Sequence, residues 1–129
     1  MVDTNNTWCY IFFIAPSGIS PPTLLSETPT SILITWSPPQ YPNGVLQGYE
    51  IERRLLGSST ITTVTIVGAS AQRVFVDQSA AITPYSTYEY RVIAKSSAGS
   101  TPSDWAQITT KQARKYSMNL DIVQCSLMD

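Results

Sequence analysis

The fold of this chain is indicated most clearly by the stretch Ile82–Ala94, which reads Ile-Thr-Pro-Tyr-Ser-Thr-Tyr-Glu-Tyr-Arg-Val-Ile-Ala. Within it, Tyr88, Tyr90, Val92 and Ala94 recur at every second position. A β-strand places such residues on one face, and the charged residues between them fall on the other face. This pattern is typical of an antiparallel sheet with one face on the core and the other in solvent. We therefore predict that these four side chains are buried.

Shorter strand patterns flank this stretch on both sides and are separated by clusters of Pro, Gly or Ser. Trp36 shares one strand face with Ile32 and Ile34, and Tyr49 alternates with Ile51 in the same way. We predict that these side chains join the core. Strands of this length and spacing indicate an all-β, two-sheet sandwich. Seven short strands are predicted, near residues 23–26, 31–36, 49–53, 60–67, 73–77, 88–94 and 106–110.

The composition of the chain excludes several classes of enzyme. The chain has 129 residues, 13% of them charged, a net charge of −1 and no histidine. Without histidine there is no Ser-His-Asp or Cys-His arrangement and no His-containing zinc site. Eight basic residues against nine acidic ones give no electrostatic case for binding nucleic acid or an anionic membrane. We expect no catalysis, no cofactor, no metal and no small-molecule substrate.

The chain divides into one predicted domain and two flanks. Both cysteines and all three methionines lie outside residues 16–110, which contain every strand pattern. We predict a domain over this range, a head at 1–15 outside it and a disordered tail at 111–129, with a short added strand as the alternative. The apolar run Trp8–Ala15 is too short to cross a membrane. It follows no basic segment, so no signal peptide is evident in this sequence.

The two flanks contain three residues with covalent chemistry of their own. Cys9 and Cys125 can meet only if both flanks extend toward each other. Two free or intermolecularly bonded thiols are therefore preferred over a disulfide between them. Asn5 begins the sequon Asn-Asn-Thr, which is a glycosylation site if the parent protein is secreted.

Over the predicted domain, the chain resembles the fibronectin type III family. Trp36 occupies the position of the core tryptophan in the second strand, and Gly48–Arg54 resembles the third strand. Ile82–Ala94 is the most specific match, and Ser96–Ser103 follows it at the spacing of the family. The resemblance implies a seven-stranded, immunoglobulin-like β-sandwich. It also implies that Tyr88 forms a tyrosine corner, in which its hydroxyl bonds to backbone a few residues upstream. The structural core residues expected from parity and resemblance together are Trp36, Tyr49, Ile51, Tyr88, Tyr90 and Val92.

Two short motifs near the last strand refine this resemblance. Some family members carry a cell-binding Arg-Gly-Asp sequence in the loop before the last strand, where this chain reads Ser97-Ala98-Gly99-Ser100. Integrin binding by that route is therefore not supported. The following Ser103-Asp104-Trp105 resembles repeats of a long extracellular member of the family. We interpret Trp105 as a packing residue on the last strand.

The resemblance implies a non-catalytic, extracellular adhesion or scaffold module, one repeat of a larger secreted or membrane-anchored protein. An odd number of strands sends the chain in at one pole and out at the other, so its partners would be neighbouring repeats and other proteins. The alternative is a ligand-binding domain of a cell-surface receptor that uses the loops 37–44 and 96–103. Its candidate partner-binding residues are Tyr41, Asn43, Ser97 and Ser100.

Charged side chains on the outer face of two strands are the only ones that suggest acid-base chemistry. Glu50, Glu52, Glu89 and Arg91 project outward from strands that the family fold pairs. Because no pocket is expected there to shift a pKa, we interpret them as exposed cross-strand pairs such as Glu52 with Arg91.

The uncharged stretch Thr60–Val67 is expected to form an edge strand, because the fourth strand of the family fold pairs on one side only. It contains no lysine and no proline, and no bulge is evident in its sequence. We predict that Thr63 and Thr65 lie on the solvent face, opposite Val64 and Ile66. An unprotected edge of this kind predicts pairing with a partner strand or self-association.

Overall fold

The computed structural model describes residues 14–113 of the chain. This part of the chain is all β-strand and turn, and it holds no helix long and apolar enough to cross a membrane. The strands are β1 (Thr23–Thr28), β2 (Ser31–Thr35), β3 (Leu46–Leu55), β4 (Thr62–Gly68), β5 (Val74–Asp77), β6 (Thr87–Ser96), β7 (Gly99–Pro102) and β8 (Ala106–Thr109). The predictions for Asn5, Cys9, Cys125 and most of both flanks fall outside the described residues.

The strands form two antiparallel sheets that pack face to face. The smaller sheet has the order β1-β2-β5. The larger has the order β4-β3-β6-β7, and β8 also pairs with β6. The longest contact is between the ten-residue strands β3 and β6, which pair from Leu55 opposite Tyr88 to Leu46 opposite Ser96. The predicted all-β, immunoglobulin-like sandwich is confirmed.

The core lies between the inner faces of the two sheets. Its ten buried apolar residues come mainly from β2, β3 and β6, because these central strands present alternate side chains inward. Trp36 and Tyr49 meet edge to face, with ring centroids 5.8 Å apart. The structure buries all six core residues named from the sequence, which are Trp36, Tyr49, Ile51, Tyr88, Tyr90 and Val92.

The number of strands differs from the predicted seven, because the last one is divided. β7 pairs with the end of β6, and β8 pairs with its beginning. Ser103 occupies the break: its amide donates to the Val92 carbonyl at 2.7 Å, and its Oγ accepts from the Val92 amide at 3.0 Å. The hydroxyl therefore replaces a backbone partner that a regular strand would supply. The predicted loop 96–103 is thus largely strand, and Pro102 is tolerated because it lies at an edge.

A buried polar cluster joins the two sheets. Asp77 on β5 accepts from Arg53 Nη1 of β3 and from the Tyr90 hydroxyl of β6, both at 2.7 Å to Oδ2. The Ser79 amide donates to Oδ1 at 3.2 Å. Asp77 is 2% exposed and Arg53 is 8% exposed. Burial raises the pKa of Asp77, but the hydrogen bonds from Tyr90, Arg53 and Ser79 outweigh burial and hold that pKa below its usual 3.8.

Candidate interaction surfaces

The chain enters the domain at a pole formed by the β2–β3 loop and the β6–β7 turn, here called the N-terminal pole. Ser17 and Tyr41 exchange two backbone hydrogen bonds, with the Ser17 amide 2.8 Å from the Tyr41 carbonyl and the Tyr41 amide 3.0 Å from the Ser17 carbonyl. The Asn43 side-chain amide donates to the Ala15 carbonyl at 3.0 Å. The incoming segment is therefore held against the β2–β3 loop before β1 begins.

The chain leaves at the opposite pole, which is formed by the β3–β4 and β5–β6 connections and is here called the C-terminal pole. The Thr110 amide donates to the Ser86 carbonyl at 2.9 Å, and the Tyr85 amide donates to the Lys111 carbonyl at 3.1 Å. Ser86 directly precedes β6, whereas Ser97 at the N-terminal pole directly follows it. The ten residues of β6 therefore separate the two poles by about 30 Å.

The sequence-predicted partner residues divide between the N-terminal pole and a strand. Tyr41 is 55% exposed, and its backbone bonds to the incoming segment. Asn43 donates to that segment, and Ser97 Oγ accepts from the Val45 amide at 3.2 Å. Ser100 is exposed but belongs to β7, where it pairs with Lys95, so its assignment to a loop was wrong. The structure thus brings Tyr41, Asn43 and Ser97 together, and their backbone or polar groups have partners within the chain.

The C-terminal pole carries a feature that the sequence reasoning missed. A cavity of about 350 Å³ opens there, with a wall that includes Leu55, Thr83 and Tyr88. Four large apolar residues are exposed on this side of the domain or beside it: Leu55 at 50%, Leu56 at 49%, Ile61 at 42% and Tyr85 at 74%. The N-terminal pole also exposes large apolar side chains, namely Ile14 at 57%, Tyr41 at 55% and Val45 at 72%. Both poles therefore offer apolar surface, and the one where the chain leaves the domain was not singled out from the sequence.

Tyr85 has an unusual backbone conformation as well as an exposed ring. Its φ is 51°, in the left-handed region that bulky residues rarely adopt. Because the side chain is exposed, it buries little surface that could offset the cost of this backbone conformation. Strain of this kind is typically retained at functional sites. No sequence pattern pointed to this residue, although its position directly after Pro84 in a tight connection was the available signal.

β4 lies at one edge of the larger sheet, since it pairs with β3 alone. The register shifts along this pairing: Ile51 lies opposite Thr65, but the next residue of β3, Glu52, lies opposite Thr63. This bulge reverses the alternation of side chains beyond it. The prediction that no bulge protects this edge was therefore wrong.

The bulge also corrects the faces predicted for β4. Thr63 is exposed as expected, and its Oγ1 donates to Glu50 Oε2 at 2.6 Å. Thr65 is half-buried and lies on the core side opposite Ile51, which is fully buried. Ile66 is instead 66% exposed. The prediction of a solvent-facing Thr65 and a core-facing Ile66 was wrong, because it assumed unbroken alternation from Val64.

The outer face of the larger sheet carries a ladder of ion pairs. Arg91 Nε lies 2.7 Å from Glu52 Oε1, and Arg54 Nε lies 2.8 Å from Glu89 Oε1. The interpretation of the outward charges as cross-strand pairs therefore agrees with the geometry. The half-buried Trp105 ring stacks against both guanidinium groups, at 4.1 Å from Arg54 and 4.6 Å from Arg91. Trp105 lies in the break between β7 and β8, so its placement on the last strand was wrong.

Residues 16–110 of the chain match the family model of the fibronectin type III domain. The chain belongs to the fibronectin type III family. Human usherin is 39% identical over 110 residues, which are 84% of this chain and 2% of usherin. Chicken protein sidekick-1 is 37% identical over 87 residues, which are 67% of this chain and 4% of that protein. The chain therefore spans a small fraction of the length of the curated relatives it matches.

A solved structure shows the same fold. The sixth fibronectin type III domain of human fibronectin type III domain containing protein 3 superposes with a TM-score of 0.67 at 19% identity. The match covers 82% of this chain and 95% of that domain. The predicted resemblance to fibronectin type III domains, including those of a long extracellular member, is confirmed.

In this fibronectin type III domain, Tyr88 makes the contacts of a tyrosine corner. Its hydroxyl donates to the Ala81 carbonyl at 2.8 Å and accepts from the Thr83 amide at 2.9 Å. These bonds fix the connection between β5 and β6, which lines the cavity at the C-terminal pole together with Tyr88. The corner thus positions both Tyr85 and the residues that hold the outgoing chain.

Proposed function

We propose that this domain is a non-catalytic, extracellular adhesion or scaffold module that acts as one repeat of a larger protein and mediates protein–protein interaction. The observation that carries the proposal is that the chain enters and leaves the domain at opposite poles, about 30 Å apart along β6. A module built in this way adds length to a protein without reversing its direction. The small share of usherin and sidekick-1 that the chain covers supports its role as one part of a long chain.

We assign no catalytic role to the outward-facing charged residues that the sequence suggested as candidates for acid-base chemistry. Glu52 and Glu89 each hold an arginine within 2.8 Å, and Glu50 holds Lys95 at 2.9 Å. Their functional groups are directed at one another across the sheet rather than into the cavity. They are best explained as contacts that stiffen the outer face of the module.

The C-terminal pole is the surface that we assign to a neighbouring repeat. The exposed Leu56 and Tyr85 lie beside the point where Lys111 leaves the domain. Whatever follows in a longer chain begins within reach of these side chains, and burying them would gain roughly 25 cal/mol for each Å² of apolar surface. The strained backbone of Tyr85 supports this assignment, because its ring is 74% exposed and packs little against the domain to offset the strain.

The alternative function, a receptor domain that binds a ligand through the N-terminal pole, has one observation in its favour. Ile14, Tyr41 and Val45 are exposed there, at 57%, 55% and 72%. The polar groups of Asn43 and Ser97 are already bonded within the chain, so these three apolar side chains would have to form the centre of an interface. The cavity and the strained backbone of Tyr85 at the C-terminal pole favour the repeat.

Small-angle X-ray scattering from two copies of residues 14–111, joined directly in tandem without the remaining flanks, tests the proposed function. We expect the maximum dimension of the tandem to approach twice that of one copy. A tandem that carries Leu56→Ser and Tyr85→Ser in its first copy should show broader interdomain motion, whereas Tyr41→Ser in the same copy should leave the profile unchanged. A compact, side-by-side tandem would contradict the spacer role, and sensitivity to Tyr41→Ser alone would favour the alternative.

A further inference from the structure

The β2–β3 loop contains a dipeptide whose chemistry is separate from the proposed function. Asn43 has a φ of 55°, a left-handed conformation that asparagine tolerates better than most residues. Gly44 follows with a φ of 155°, and a Cβ at this position would lie 3.0 Å from Ser97 Oγ. The backbone of this turn therefore favours the pair Asn-Gly. It is the one such pair in the chain.

Asn43 also links this loop to the incoming segment. Its Nδ2 donates to the Ala15 carbonyl at 3.0 Å and lies 3.5 Å from Ser17 Oγ. Directly beside it, Ser17 and Tyr41 exchange backbone hydrogen bonds, and the Gln40 amide donates to the Gly18 carbonyl at 3.0 Å. The side-chain amide of Asn43 is thus the polar group that fastens the segment at its outer end.

We propose that Asn43 is a site of spontaneous deamidation and that this modification releases the incoming segment from the β2–β3 loop. The Gly44 backbone nitrogen, after losing its proton, attacks Asn43 Cγ. The new C–N bond closes a succinimide ring as the Cγ–Nδ2 bond breaks, and the side-chain nitrogen takes up a proton from water and leaves as ammonia. Water then opens the ring at either carbonyl to give aspartate or isoaspartate. Gly44 suits the attack because no side chain shields its nitrogen, and Asn43 is exposed to the water that the reaction needs.

The product reverses the polarity of the contact with Ala15. The amide donates a hydrogen bond to the Ala15 carbonyl, whereas a carboxylate has no proton to donate and places a negative charge against that oxygen. Formation of isoaspartate also inserts an extra backbone carbon into the turn. Both changes act on the hydrogen bond between Asn43 and the Ala15 carbonyl, while the strands of the core keep all their contacts. The incoming segment up to Ser17 is therefore expected to open locally more often, and the domain to remain folded.

Peptide mapping of the full chain tests the modification itself. The chain provides its own controls, because its other asparagines, Asn5, Asn6 and Asn119, are followed by Asn, Thr and Leu. Protein without glycans is incubated at 37 °C at pH 8 and at pH 6. We expect aspartate and isoaspartate to accumulate at Asn43 several-fold faster than at the other three sites, and faster at pH 8. Conversion at Asn43 no faster than at Asn119 would overturn the proposal.

Hydrogen exchange tests the release. In Asn43→Asp, the Ser17 and Tyr41 amides should exchange about five- to tenfold faster than in the wild type, as the loss of about one hydrogen bond predicts. The Val92 amide in the core should be unchanged, which shows that the variant is folded. Ser100→Asp adds the same charge at an exposed strand position and should leave the Ser17 amide unaffected. Equal protection of Ser17 in wild type and Asn43→Asp would refute the release.

Discussion

At the scale of single residues, two hydroxyl side chains supply hydrogen-bond partners to backbone groups that would otherwise have none. The Tyr88 hydroxyl bonds both to the Ala81 carbonyl and to the Thr83 amide. Ser103 closes the break in the last strand by accepting from the Val92 amide. Each hydroxyl satisfies a group that would otherwise be unpaired in a partly buried place, which costs more than the bond itself contributes.

Tyr88→Phe is expected to destabilise the domain by about 1–3 kcal/mol, because it removes the hydroxyl from two backbone partners and leaves the ring packed. Chemical denaturation of the wild type and the variant measures the change. A difference within the error of the midpoints would show that the corner makes no net contribution to stability.

Tyr85→Gly is expected to raise the free energy of unfolding by about 0.5–1 kcal/mol. Glycine relieves the left-handed strain at φ 51°, and the ring, 74% exposed, contributes little packing. Tyr41→Gly is the matched control. Tyr41 is also exposed but is not at positive φ, so this variant should be less stable than the wild type. A loss of stability in both variants would mean that the Tyr85 ring supports the domain rather than a neighbour.

At the scale of strands, the sequence predicted the core faces well and the irregular positions poorly. The alternation of Tyr49 and Ile51 places Arg53 on the same inward face, but its partner Asp77 comes from the other sheet, so no local pattern predicts that this charge is buried. Pairs between residues that are distant in the sequence produce no local sequence pattern from which they could be predicted. Trp105 was misplaced for the same reason, since the two arginines it contacts lie on β3 and β6.

The bulge in β4 was hidden because threonine, valine and isoleucine suit either face of a strand. A sequence such as Thr-Val-Thr-Ile-Val is equally compatible with a regular strand and with a strand that contains a bulge. The division of the last strand was missed because Gly99 and Pro102 are turn residues by composition, and their pairing with β6 is what makes them a strand. The bulge had the larger consequence, because it changes which substitutions the edge tolerates.

Thr63→Lys and Thr65→Lys form a matched pair that tests the edge strand. Lysine at 63 faces Glu50 and solvent, so stability should change by no more than about 0.5 kcal/mol. Lysine at 65 would be placed on the core side opposite Ile51 and should cost about 1–3 kcal/mol. Denaturation midpoints distinguish the two. Equal losses at both positions would contradict the register with the bulge.

Light scattering of the same variants tests the proposed pairing of this edge with another strand. If β4 pairs between copies, Thr63→Lys should reduce association at matched concentration, because a charge at an edge opposes strand addition. The bulge already twists this edge, so the wild type is expected to associate only weakly. Association that is the same in wild type and Thr63→Lys, at equal stability, would remove β4 as a docking edge.

At the scale of the whole molecule, the two sheets are joined by the apolar core and by the Asp77 cluster. The pKa of Asp77 is lowered in the folded state, so its contribution to stability is present above the unfolded pKa near 3.8 and is lost as pH falls through the lower folded value. Asp77→Asn should lose about 3–5 kcal/mol near neutral pH, since it leaves the buried Arg53 charge without its carboxylate.

The free energy of unfolding is therefore expected to stay level from about pH 7 to pH 5 and to fall below about pH 4. Denaturation of the wild type across this range measures the slope. Asp77→Asn should flatten it, whereas Glu50→Gln, which removes another carboxyl whose pKa is lowered, should leave most of it in place. A slope that survives in Asp77→Asn and disappears in Glu50→Gln would assign the acid sensitivity to the sheet surface.

The proposed role as a spacer repeat requires the chain to enter and leave the domain at opposite poles. Spin labels at Ile14→Cys and Lys111→Cys, in a chain with Cys9→Ser and Cys125→Ser, measure this separation directly by pulsed dipolar spectroscopy. Both positions are exposed, and they flank the two poles that β6 separates. We expect a distance distribution centred at about 30 Å or beyond, as the ten residues of β6 require. A distribution centred at half that distance or less would place the entry and the exit of the chain at one pole and contradict the role as a spacer repeat.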